Sequence, residues 1–162
     1  MPDTSSDLRK HLDNLLRMEG AHLDFDAAVA GFPVHLRGKK LKGAPHSAWQ
    51  LLEHMRLAQW DILDFCRNAN YEEKRFPEDY WPATAAPPDE NAWDANTRQF
   101  RRDLKAIRAL VADEKQDLFA KIPHGQGQTL LREALLVADH NSYHLGQLVF
   151  LRKWLEAQDR SK

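Results

Sequence analysis

Four stretches of this chain repeat apolar residues at spacings of three, four and seven, and nothing between them alternates with the period of a strand. Stripes of that period run along one face of an α-helix, so the chain is expected to be all-α. The first helix starts near Thr4-x-x-Asp7, which has the form of a capping box, and carries Leu8, Leu12, Leu15 and Leu16 on one face. A break or bend is expected at Gly20, with a shorter stretch from His22 to Ala30 beyond it. The second helix, about 47–67, opens at the capping box Ser47-x-x-Gln50 and continues through Leu51, Leu52, Met55, Ala58, Ile62 and Phe65. The third takes Asp89 as N-cap and runs through Trp93, Phe100, Leu104, Ile107 and Val111 to near Asp113. Thr129 caps the fourth, which reaches Trp154 or Leu155 through Leu131, Leu135, Ala138, Leu145, Leu148 and Leu151. Four amphipathic helices most economically bury their stripes against one another as a four-helix bundle.

The connections are informative as well. Arg37-Gly38-Lys39-Lys40-Leu41-Lys42-Gly43 reads as a solvated basic loop, and Asn68 to Pro88 carries Pro77, Pro82, Pro87 and Pro88 around Tyr80-Trp81. So many prolines exclude a helix there, and a connection of that length often covers a site.

At 162 residues the chain is expected to fold as one domain over 1–162, with a core that needs no staples. Lys plus Arg (23) nearly cancel Asp plus Glu (24), so the positive excess that a general grip on phosphate backbones requires is absent. No nucleic-acid partner is expected. The longest apolar runs are too short to span a bilayer, which leaves no membrane partner, and MPDTSSDLRKHLDNLL lacks the apolar core of a secretory signal. A cytoplasmic location is the expectation. The lone Cys66 rules out an internal disulfide and a Cys-x-x-Cys pair, so any metal must rest on histidine and carboxylate.

Asp139-His140-Asn141-Ser142-Tyr143-His144 sets two imidazoles at i and i+4 on one helical face, within reach of a single ion. On spacing alone, one surface histidine and one hydrogen-bonded core histidine is the better reading, since a two-ligand match is a weak motif. Leu136 and Val137 before the pair, with Gln147, Leu148 and Leu151 after it, place it along an inward stripe. Two buried imidazoles there without a shared partner would be costly. His54, between Leu51 and Ile62 on the second helix, lies close to a core face too. Three histidines on facing helices would suit zinc, nickel or iron, and would leave a coordination position open to water or substrate, as catalytic zinc sites do.

Trp49-Gln-Leu-Leu-Glu-His54 and Ala138-Asp-His140-Asn-Ser-Tyr-His144-Leu-Gly-Gln147 together resemble the DinB/YfiT-like superfamily, nearest its DinB-like domain proteins of bacteria. The likeness covers most of the chain, including Gly20-Ala-His22, Tyr80-Trp-Pro82 and Ile122-Pro-His124-Gly-Gln-Gly127. It implies a four-helix bundle with a divalent metal on His54, His140 and His144, often as a homodimer. Relatives include transferases that use a low-molecular-weight thiol, bacillithiol or mycothiol, which the metal is thought to activate as thiolate. A small-molecule substrate and transfer of such a thiol to an electrophile are therefore expected, although the chain carries no thiol-cofactor signature. A metal-dependent hydrolase and a non-enzymatic metal-binding stress-response protein are the alternatives.

Gln147 shares the face of His140 and His144 and could orient a ligand, or be a surface amide. Glu53 points about 100° away from His54 on an ideal helix, which argues against a ligand role. Tyr143 and Asp139 flank the pair and read as solvent-facing or packing residues. Of the remaining histidines, His22 and His124 lie in loops that could converge over the metal, whereas His46 reads as an end-of-element residue. Trp81 could line a substrate mouth, and Cys66 reads as a small packed residue without an activating neighbour.

Overall fold

Most of the longer helices begin where a side chain takes up backbone N–H groups that have no carbonyl partner within the helix. In a computed structural model, which describes residues 4–161, these helices are α1 (Thr4–Leu16), α2 (Phe25–Val29), α3 (Ala48–Arg67), α4 (Ala92–Ala112) and α5 (Leu130–Arg160). Short 3-10 turns occur at Val34–Leu36 and Glu78–Tyr80. The fold is all-helical among the described residues, where Lys121 and Thr129 form only an isolated bridge.

The Ser47 box is complete: its Oγ accepts from Gln50 N at 3.2 Å, and its own N–H donates to Gln50 Oε1 at 3.1 Å. Thr129 Oγ1 caps α5 through Arg132 N at 3.2 Å. Asp89 starts α4 from further out than expected. Its Oδ1 accepts from Asn91 N and Ala92 N at 2.8 and 2.9 Å, while Asn91 occupies the N-cap position without a side-chain bond. The box expected at Thr4 lies outside the described side chains.

The first helix ends at Leu16, before Gly20, because Met18 already turns left-handed (φ 58°) and its side chain enters the core. Of the stretch from His22 to Ala30, only Phe25–Val29 is helical, capped by Asp24. α5 runs on to Arg160 rather than stopping at Leu155. Two leucines expected in the core are exposed, Leu15 and Leu135. Leu12 and Leu16 define the buried arc of α1, and Leu15 falls about 80° from its middle. Ile62 and Phe65 are only partly buried, and Asp61 and Leu63 are buried instead.

α3 packs on α4 and α5, and α1 lies against α4 and α5 from the other side. The apolar interior forms two clusters. One gathers Phe25, Trp49, Met55, Trp93, Phe100 and Leu148; the other gathers Leu12, Leu16, Leu63, Ile107, Val111 and Val137, with Leu104 touching both. A buried polar chain crosses all three long helices. Asn141 Nδ2 donates to Gln59 Oε1 and Gln59 Nε2 donates to the Phe100 carbonyl, each at 2.8 Å. Because a one-residue slip would leave these amides unpaired, the chain fixes the register of α5 on α3, and with it the height of His140 and His144 opposite His54.

Candidate metal centre

His54 projects from the middle of α3, and His140 and His144 project from successive turns of α5. Their ligand atoms all lie within 4.8 Å of one another. The same atom converges in each ring: His54 Nε2 is 3.0 Å from His140 Nε2 and 3.1 Å from His144 Nε2. Nitrogens held tetrahedrally at ordinary zinc–imidazole bond lengths sit about 3.4 Å apart, so the spacing is close to that of a shared ion.

The opposite ring atoms settle the tautomers. His54 Nδ1 lies 2.8 Å from the carbonyl of Tyr80, which can only accept, so Nδ1 carries the hydrogen and Nε2 presents a lone pair. His144 Nδ1 is likewise held by Gln147 Oε1 at 2.8 Å. Two lone pairs therefore face each other across 3.1 Å with no hydrogen between them. Protonation is the unfavourable remedy, because burial pushes His54 and His140 down to about 4, and His144 is lowered by burial as well. A cation shared by the lone pairs would satisfy the rings, and the three histidines could hold a metal ion.

The Pro-rich connection supplies a wall. Trp81 lies flat on His54, with centroids 3.8 Å apart and planes 3° from parallel, and its other face stacks on His46 at 3.7 Å. Tyr80, whose carbonyl holds His54, also donates its hydroxyl to Asp61 Oδ2 at 2.7 Å, and Tyr71 donates to the same buried carboxylate. Two close approaches tie this connection to the cap of α3 and to the basic loop before it. Ser47 Oγ donates to the Ala85 carbonyl, and Gly38 lies so near Ala86 that a Cβ there would come within 2.6 Å of the alanine methyl.

Not every residue marked in the sequence reaches the centre. His22 bonds to its neighbour's carbonyl at Leu23, and His124 Nε2 bonds to Phe65 O, so neither loop histidine converges on the site; His46 comes nearer, through Trp81. Glu53 is engaged elsewhere, chelated by Arg56 and bonded by Asn96 Nδ2 from α4. Asp139 is exposed, and Tyr143 is exposed with its ring edge-on to His144 at 4.8 Å. Burial drives the Cys66 thiol up to about 12, which leaves it protonated and inert near neutral pH. The Tyr80 carbonyl and the His46 stack have no signature in helical spacing, because the course of a loop brings them in. No protein-family model, curated protein or solved structure matches this chain.

Proposed function

We propose that this protein is a metal-dependent four-helix bundle of the DinB/YfiT-like kind, with a divalent ion on His54, His140 and His144, that transfers a low-molecular-weight thiol to an electrophile. The observation that carries the metal reading is the convergence of the three Nε2 atoms at 3.0 and 3.1 Å, with two of the rings locked through Nδ1. The transferase reading rests on the resemblance in sequence around these histidines. A divalent ion in this position would supply Lewis acidity that lowers the pKa of a bound thiol or water.

The chain's own residues define what surrounds that chemistry. The Tyr80 carbonyl and Gln147 hold two rings in the ligating tautomer, and Trp81 shields one face of His54 from water. With the Cys66 thiol held protonated by burial, the reacting thiol comes from a separate small molecule rather than from the protein. Elemental analysis of the purified protein and of His54→Ala, His140→Ala and His144→Ala tests the centre. One ion per chain in the parent and loss in each variant are expected; equal content in all four would overturn the site. Incubating the metal-loaded protein with bacillithiol, mycothiol or glutathione plus a chloro-aromatic electrophile tests the reaction. Thioether formation that is absent from the histidine variants is expected, and background rates with every thiol would remove the transferase reading.

A further inference from the structure

We propose that the cleft between the C-terminal part of α3 and the start of α5 binds a small organic ammonium ion, at a second site that works with or without metal on the histidine cluster. The cleft holds about 360 Å³. Asp61 on its wall stands seven residues after His54, about 10 Å further along α3. Carboxylates and aromatic rings line it together, and that combination selects an organic cation.

Three carboxylates, from Asp61, Glu73 and Glu133, face the single guanidinium of Arg132. Two of them are withdrawn from water, Asp61 at 7% exposed and Glu133 at 3%. Among the described residues Asp61 accepts only from the neutral hydroxyls of Tyr71 and Tyr80, and burial raises its carboxyl above the usual range. Lys74 makes no ion pair with it, since the lysine ammonium lies over the Trp60 ring at 5.1 Å. Glu133 takes Arg132 on Oε1 at 2.6 Å, and its Oε2 has no partner among the described residues. Buried negative charge left in this state is costly until a cation shares it. A metal ion is not what these carboxylates would chelate. Among the described residues, only the three histidines bring three ligating atoms within 4.8 Å of one another.

The remaining wall is aromatic. Phe65 meets both Tyr71 and His124 at 5.2 Å between centroids, at 80° and 75°, so the three rings form a corner rather than a stack. The loop bearing His124 is built against that corner. His124 Nε2 donates to the Phe65 carbonyl at 2.8 Å, and a Cβ on Gly125 would come within 2.9 Å of Phe65 Cζ and 2.8 Å of Gln128 Oε1. Glycine is thus what lets the backbone close on the ring. A hydrated inorganic cation makes little use of such walls, whereas an alkylammonium sets its charge against the carboxylates and its C–H groups against the rings.

Calorimetric titration with putrescine tests the site, with 1,4-butanediol as the uncharged counterpart. A dissociation constant below about 1 mM is expected for the diammonium, and no heat for the diol. Phe65→Leu and Glu73→Gln should each weaken putrescine about three- to tenfold, and Glu133→Gln about tenfold. Glu73 is exposed, so its variant keeps the test decisive even if Glu133→Gln does not fold. Because amines also coordinate metal ions, the titration is repeated on His140→Ala, where the constant should be unchanged. No saturable heat, equal binding of the diol, loss of binding in His140→Ala, or indifference to all the cleft variants that fold would overturn the proposal.

Discussion

Gln147 reaches back one turn of α5 to accept the Nδ1–H of His144, so that the ring can present only its Nε2 to the cluster. Partners of this type tune affinity more than fold. Gln147→Ala should weaken metal binding about 10- to 100-fold while leaving the melting temperature of the metal-free protein nearly unchanged. Competition against a chromophoric chelator measures the first and calorimetry the second; unaltered affinity would reduce Gln147 to a surface amide. His140, His144 and Gln147 are legible in the amino-acid sequence because helical spacing alone puts them on one face, and His54 because it stands beside an apolar stripe. The carbonyl of Tyr80 is not, since main-chain atoms carry no sequence signal and Tyr80 comes to His54 by the path of a loop.

At the level of elements, Ser47 does two jobs that belong to different segments. Its hydroxyl caps α3 through Gln50 N and also donates to Ala85, which ties down the connection bearing Trp81. Ser47→Ala should cost about 1–2 kcal/mol, seen as a lower urea midpoint at unchanged slope. Ser47→Asp, which keeps the capping acceptor but loses the hydroxyl donor, separates the two: recovery of full stability would show that the Ala85 contact contributes nothing. The cap is readable as Ser47-x-x-Gln50, because a capping box is local chemistry. The exposure of Leu15 and Leu135 is not readable, because apolar character does not say which of two adjacent faces the neighbouring helices cover. The early stop of α1 is likewise hidden, since Met18, in its left-handed turn, buries its side chain in the cluster with Phe25, Trp93 and Phe100, a tertiary arrangement.

For the whole molecule, the buried histidines couple folding to pH. Burial holds His54 and His140 at about 4, whereas in the unfolded chain they titrate near the ordinary 6.5. Between these values the unfolded chain binds more protons than the folded one. The stabilisation is thus complete above pH 6.5 and drains away as pH falls towards 4. Asp61 and Asp103, raised by burial, work in the opposite sense, so the comparison that isolates the histidines is with a variant. Urea midpoints of the metal-free protein should fall between about pH 7.5 and 5, and fall less steeply in His140→Gln; parallel curves would show that His140 is not held neutral by the fold. The all-helical class is legible from periodicity. The packing of α3 between α4 and α5 is not, because pairing is decided by buried polar groups such as Gln59 and Asn141 that no apolar stripe announces.

The hold on His54 by the main chain of Tyr80 has a consequence for how this protein can vary. No substitution at position 80 deletes a carbonyl, so an alanine scan reads that position through its hydroxyl and the Asp61 anchor alone. Selection on the ring's orientation must then act at a distance, on residues such as Ser47, Gly38 and Asp61 that steer the backbone past His54. Mutations that impair the centre should therefore map also to places that never touch it.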